Sequence, residues 1–258
     1  MIEAQNTRKE ALFVPQNIQR CFQRYEKKYL LNPEQYQKIR AGLAPYMEAD
    51  EHGRYTICNL YYDTPDFQLI RASLDKPVYK EKLRMRSYGV PADGDSVFVE
   101  LKKKYKGVVY KRRTVLEAGE ALDYLAGRCS PRAKDQICRE IDWFLGRYHP
   151  VPQVFIAYDR EALAGLEDRV LRVTFDIDLR WRDTALDLRS GDGGERITSR
   201  DQILMEIKIP GSEPVWLSRL LSENSVFPTS FSKYGVCYRE NLMWPVKRHP
   251  GKAVRFCA

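Results

Sequence analysis

Ile203-Leu204-Met205-Glu206-Ile207-Lys208-Ile209 reads as a β-strand with two unlike faces. Side chains at i and i+2 of a strand point the same way, so Met205, Ile207 and Ile209 form an apolar side and Glu206 and Lys208 lie together on the other. The same spacing of a carboxylate two residues before a lysine recurs in Glu26-Lys27-Lys28 and Glu100-Leu101-Lys102. Three strands that each carry an acid and a base on one side pose a single question: does that side meet water or line a site?

Outward from these segments, alternation predicts further strands. Residues 22–31 place Arg24, Glu26 and Lys28 on one face; residues 55–63 run into an Asp-Thr-Pro-Asp turn. Residues 78–88 line up Lys80, Lys82, Arg84 and Arg86, residues 96–104 answer with Glu100, Lys102 and Lys104, and residues 108–116 add Lys111 and Arg113. These three strands predict an antiparallel meander. Two more are expected at 154–160 and 172–179, the second with Arg172, Thr174, Asp176 and Asp178 opposite Val173, Phe175, Ile177 and Leu179. Asn32-Pro33-Glu34 is a helix start with a capping Asn and Pro in the first turn. Helical spacing also marks 120–126, a stretch opened by Ser130-Pro131, 214–222 and 232–244.

About eight mostly antiparallel strands with helices inserted favour an α+β chain built as a closed antiparallel β-barrel, its helices packed outside. The expected division is an N-terminal extension over 1–21, one domain over 22–245 and a C-terminal tail over 246–258. For one strand alone, a charged face simply meets water. The bulk of the apolar backs, and helices able to cover them, turn the charged faces inward instead. A cationic lining is costly when empty: two like charges ~4 Å apart repel by about 4 kcal/mol at an effective dielectric near 20. A bound anion or interleaved carboxylates offset that cost, and a triphosphate chain would suit, with arginines engaging its oxygens bidentately and lysines acting as point charges.

Composition agrees with one sizeable globular domain: 258 residues, 43% hydrophobic, 16 tyrosines and a net charge of +8. No apolar run is long enough to span a bilayer, and the first residues lack a secretion signal, so a cytoplasmic location is expected. Six scattered cysteines and three histidines at no zinc-ligand spacing argue against a Cys/His metal centre. A metal here is expected to be a hard cation on carboxylates. There is no Gly-x-x-x-x-Gly-Lys-Ser/Thr loop and no Ser–His or Cys–His nucleophile pattern.

The ordered segments Arg24-Tyr25-Glu26-Lys27-Lys28-Tyr29, Leu60-Tyr61-Tyr62-Asp63-Thr64-Pro65, Lys82-Leu83-Arg84-Met85-Arg86-Ser87-Tyr88-Gly89 and Phe98-Val99-Glu100-Leu101-Lys102-Lys103 resemble the CYTH-like triphosphate tunnel metalloenzymes. Tyr158-Asp159-Arg160-Glu161-Ala162, Phe175-Asp176-Ile177-Asp178, Met205-Glu206-Ile207-Lys208 and Phe231-Ser232-Lys233-Tyr234 extend the likeness to the polyphosphate polymerase domain of the vacuolar transporter chaperone (VTC) type, over about residues 22 to 240. The resemblance implies a basic tunnel that transfers the γ-phosphoryl group of ATP onto inorganic polyphosphate with Mn²⁺ or Mg²⁺. Carried over by motif, Lys28, Arg84, Arg86, Lys102, Arg160 and Lys233 are the expected catalytic residues and contact substrate with Lys111. Arg113, Lys208 and Ser232 are the further substrate-binding candidates, Ser232 because free N–H groups at a helix start favour phosphate.

Glu206 matches the family's metal-binding glutamate; Glu26 and Glu100 are either further metal ligands or spacers between lysines. Asp176 and Asp178 are read chiefly as orienting groups, and Tyr62 as packing. With neither an SPX-like domain nor a transmembrane region in the sequence, a free-standing catalytic domain of bacterial style is expected. The competing readings are a tunnel triphosphatase, a non-catalytic polyphosphate-binding module and a single-strand nucleic-acid binder with interleaved aromatics, for which a tunnel is the poorer host.

Overall fold

The computed structural model describes residues 25–243 apart from 107, 132–134, 199, 200 and 210. The expected N-terminal extension, Arg24 and the C-terminal tail lie outside the described residues. The strands are β1 (Tyr25–Leu31), β2 (Met47–Asp63), β3 (Tyr79–Tyr88), β4 (Ser96–Tyr105), β5 (Val108–Glu117), β6 (Val151–Gly165), β7 (Arg172–Arg182), β8 (Glu195–Arg196) and β9 (Ile203–Ile209). The helices are α1 (Pro33–Leu43), α2 (Gln68–Leu74), α3 (Ala118–Leu125), α4 (Gln136–Tyr148), α5 (Val215–Glu223) and α6 (Lys233–Cys237), and a π-helical turn, Tyr238–Leu242, follows α6.

All pairings are antiparallel, in the order β1-β9-β7-β6-β2-β3-β4-β5, with β8 appended to β7. This corrects the expected closed barrel: among the described residues β1 and β5 remain edges. One cause is visible at β1, whose outward backbone is occupied, Lys28 O accepting from Thr229 N at 2.7 Å. An edge covered by a passing segment has less left for a closing strand. The sheet nevertheless curls until charges of β1 and β4 meet, Glu26 lying within the field of Lys102.

Two apolar cores lie on the convex side. Met205, Ile207 and Ile209 of β9 pack with Tyr29, Val173 and Phe175 under α1 and α5, through Ile39, Leu43 and Leu217. Leu83, Met85, Val99 and Leu101 pack with Tyr62 under α3 and α4, through Ala121, Ile141 and Phe144. Full burial of each such side chain is worth about 1.5–3 kcal/mol. The start of α1 is as its sequence predicts: Asn32 Oδ1 accepts from Gln35 N at 2.8 Å, and Gln35 Oε1 accepts from Asn32 N.

A third core corrects the expectation that every helix packs outside. Tyr234, Val236 and Cys237 of α6, with Tyr238 of the π-turn, cover Ile57, Tyr61, Ile156, Tyr158 and Leu204 on the concave face. Leu179 joins this inner core although Phe175 lies in an outer one. The alternation is broken by Asp178, whose φ of 52° is left-handed, and by a register shift between Ala157 and Asp159 on the facing strand. A bulge adds a residue, and every later side chain changes side.

Candidate functional site

Cross-strand register sets the first cluster. Lys28 lies opposite Glu206, Glu206 opposite Thr174, and Arg160 opposite Asp176. Glu206 Oε1 accepts from Lys28 Nζ and Lys233 Nζ, each at 3.1 Å, and Arg160 Nη2 is 3.7 Å from its other oxygen. Asp176, fully buried, takes both prongs of Arg160 at 2.6 and 2.7 Å and the Lys233 ammonium at 2.5 Å. Burial alone would raise the Glu206 carboxyl, but Lys233, Lys28 and Arg160 hold it well below the usual carboxylate range. Asp176 is likewise lowered, by Arg160 and Lys233 against its burial. Lys28 is raised, since Glu206 and Glu26 outweigh its desolvation.

Glu100 organises the second cluster. It lies opposite both Arg84 and Arg113. It accepts from Arg84 Nε at 2.8 Å and from Arg113 Nε and Nη2 at 2.8 and 2.5 Å, while Lys111 Nζ stands at 2.7 Å and Arg86 at 3.9 Å. These cations keep Glu100 ionised far below its ordinary range despite its burial. Arg86 also donates to Asn59 Oδ1 at 2.9 Å and to the Tyr158 hydroxyl at 3.3 Å, which fixes its fork. Burial and the adjoining Arg86, Arg84 and Arg113 push Lys111 down to about 6, with Glu100 opposing.

Between the clusters stand Lys82 and Lys102, directly opposite one another on β3 and β4. Neither has a carboxylate at ion-pair distance among the described residues. Burial, Lys102, Lys80 and Lys28 push Lys82 down to about 7. Lys102 is lowered by burial and by Lys28 and Arg84, with Glu26 opposing. Lys82 Nζ donates to Ser232 Oγ at 3.1 Å, and that oxygen caps α6 by accepting from Gly235 N. The tip of α6 is tied down from below: Tyr234 stacks on Tyr61 with ring centroids 5.0 Å apart and donates its hydroxyl to buried Asp63 at 2.9 Å. Asp63 also accepts from Leu69 N and Ile70 N at the start of α2, which accounts for a helix that the sequence reading missed.

Such a face, with cations gathered round Glu206 and Glu100 and Lys82 and Lys102 left unbraced between them, suits a chain of phosphates. The VTC domain family model matches residues 23–240. The chain belongs to the VTC domain family. No curated protein matches the sequence. Among solved structures, a putative adenylate cyclase from Bacillus halodurans is similar at 15% identity, TM-score 0.51, with 81% of this chain and 93% of that one covered. A putative adenylyl cyclase from Hippeastrum, described as having a dominant triphosphatase activity, is similar at 18% identity, TM-score 0.50, with 87% and 99% covered. These likenesses show that the VTC domain shares its fold with those two proteins.

Within this VTC domain Lys28, Arg160, Lys233, Ser232 and Glu206 converge in one cluster and Arg84, Arg86, Lys111 and Arg113 in the other, with Lys102 between. Lys208 lies opposite Glu26 and Arg172, farther along β9. Asp178 stands apart, paired with Arg180 and Arg196 after the bulge. The sequence reading left out Lys82, although it alternates with Arg84 and Arg86, and Thr174. Thr174, 3% exposed and opposite Glu206, has a hydroxyl with no hydrogen-bond partner among the described residues.

Metal-binding capacity is limited. Among the described residues no three His, Cys, Asp or Glu side chains form a ready metal group. Glu206 and Glu26 share Lys28, at 3.1 and 3.3 Å, and the orphan Thr174 hydroxyl stands beside Glu206. That set fits a hard divalent cation taking one or two carboxylates and completing its shell with water and phosphate oxygens. Glu100, both oxygens engaged by cations, has no such vacancy.

Proposed function

We propose that this VTC domain is a polyphosphate polymerase, moving the γ-phosphoryl group of ATP onto an inorganic polyphosphate chain. The observation that carries the reading is the pair Lys82 and Lys102, cations without carboxylates, held between two braced basic clusters on one concave face. An anionic chain laid there favours their charged forms and takes further contacts from Lys28, Arg84, Arg86, Lys111, Arg113, Arg160 and Lys233. Ser232, at the cap of α6, and Lys208, near Glu26, extend the same lining. Glu206, with Glu26, is the proposed seat of Mn²⁺ or Mg²⁺; the ion would neutralise charge on phosphate oxygens. Glu100 is proposed as a spacer that fixes the guanidiniums and not as a ligand.

In the reaction, a terminal oxygen of the acceptor chain attacks the γ-phosphorus in line, and the bond to the β–γ bridging oxygen breaks to release ADP. Little covalent help is needed; alignment and charge neutralisation supply most of the rate. The acceptor is already an anion, so no general base is required. That agrees with carboxylates Glu100, Asp176 and Glu206, all held ionised and weakly basic by their cations. The Hippeastrum neighbour's triphosphatase activity favours a second reading in which water attacks the same bound triphosphate.

Incubation with ATP and Mn²⁺ or Mg²⁺ separates the readings. Long chains on a gel, lost in Glu206→Ala and Arg84→Ala variants that still fold, are expected. Orthophosphate alone supports the triphosphatase, and polyphosphate binding without ATP turnover supports a non-catalytic module. No helix of the described residues is long and apolar enough to cross a membrane. Location in the cytoplasm, and ATP and polyphosphate as partners with nucleic acid excluded, are part of the proposal.

A further inference from the structure

The two faces of the β3–β4 hairpin treat their charges differently. On the convex face, Lys103 donates to Glu140 at 2.9 Å, and Glu81 accepts from Tyr148 at 2.8 Å. Both of these charged groups have a partner supplied by α4. On the concave face the register pairs lysine with lysine twice in succession, Lys82 opposite Lys102 and then Lys80 opposite Lys104. Like charges directly opposite on a sheet are destabilising. Neither rung has a carboxylate at ion-pair distance among the described residues. Lys80 reaches only a backbone carbonyl, Ser73 O at 3.0 Å, and its ammonium is lowered by burial and by Lys104 and Lys76. Lys80 is half-buried and Lys104 exposed, so this rung stands at the open end of the concave face, where a long anion leaving the inner clusters can reach it.

We propose that Lys80 and Lys104 form an outer phosphate subsite, a second rung that takes the part of a long polyphosphate chain lying beyond the triphosphate unit. The rung is four residues along β3 from Arg84, about 13 Å at the usual strand rise. It therefore binds chains longer than the unit gripped by the inner clusters and adds little for triphosphate itself. The inference rests on the proposed phosphate-binding role of the concave face. It goes further in giving that face a length preference and a direction, outward along β3 and β4.

The test compares tripolyphosphate with long-chain inorganic polyphosphate by titration calorimetry, on the full chain and on the double variant Lys80→Ala/Lys104→Ala. Affinity for the long chain should fall about tenfold while tripolyphosphate affinity stays within twofold, which also reports a folded site. Lys80→Arg/Lys104→Arg should recover the long-chain affinity. Equal losses for both anions, or no loss for either, would overturn the outer subsite alone. A wild-type chain that binds neither anion would overturn the parent reading and the subsite with it.

Discussion

Replacing Glu100 by Gln removes the one negative charge shared by Arg84, Arg113 and Lys111, with Arg86 just beyond. The amide keeps a carbonyl oxygen for one guanidinium and turns its own N–H groups toward the others. Removing one partner of a buried ion pair costs about 3–5 kcal/mol. Arg84, Lys111 and Arg113 keep 16–20% of their side chains exposed, so water screens part of the loss and the low end, about 3 kcal/mol, is expected. For a chain of this size each kcal/mol moves Tm by about 2–4 °C, which gives a drop of ~6–12 °C.

The informative part is its response to anions. Tripolyphosphate brings negative charge to the same cations, so the Tm rise it causes should be larger in Glu100→Gln than in the wild type, narrowing the gap. The sign with pH follows from the lowered carboxyl. A folded-state pKa below the unfolded one gives stability that is complete above the unfolded value, near 4.3, and lost as pH falls through the folded one. The gap between wild type and variant should therefore be flat near neutrality and close only below about pH 4. Scanning calorimetry with and without tripolyphosphate measures all of this. An unchanged Tm, or an equal anion-induced rise in both proteins, would refute Glu100 as a stand-in for phosphate.

Two further outcomes are expected. Lys82, held near 7 in the free chain, is mostly neutral at pH 8, and a phosphate beside it restores its charge. Tripolyphosphate binding at pH 8 should therefore take up about one proton at Lys82, besides any at Lys111, read from calorimetry in buffers of different ionisation enthalpy. Lys82→Met should lower that uptake by about one proton and leave the share of Lys111, and equal uptake in both proteins would contradict the assignment. The same depression means that stability linked to neutral Lys82 is full above the unfolded value near 10.4 and is lost as pH falls toward 7. Tyr234→Phe leaves the Asp63 carboxylate short of one buried donor, at a cost of about 1–3 kcal/mol in denaturant unfolding. The variant should also weaken tripolyphosphate binding through the neighbouring Lys233; unaltered binding would detach α6 anchoring from the site.

Local alternation made much of the site legible. The stretch 203–209 is β9 to the residue, its apolar back is buried, and the acid–base face of each of the three starting segments lies on the concave side. Motif order supplied the family. What alternation cannot carry is information fixed by distant parts of the chain. Barrel closure depends on what meets the β1 edge, and Thr229 meets it. The face of Leu179 depends on a bulge at Asp178, an acid whose sequence neighbours read as plain strand. The inward position of α6 depends on Tyr61 and Asp63, whose motif carried resemblance without a visible role until Tyr234 was seen upon it. Lys82 differs from Arg84 and Arg86 on the same strand face in lacking a carboxylate, a property of register.

The central claim is that the concave face is completed by a phosphate chain lying between the Glu100 and Glu206 clusters. A crystal structure of the chain with tripolyphosphate and Mn²⁺ tests it most directly. The account predicts phosphate oxygens in hydrogen-bond contact with Lys82 and Lys102, with the metal on Glu206. Tripolyphosphate bound elsewhere, with Lys82 still on Ser232 and Lys102 without an anionic partner, would contradict it.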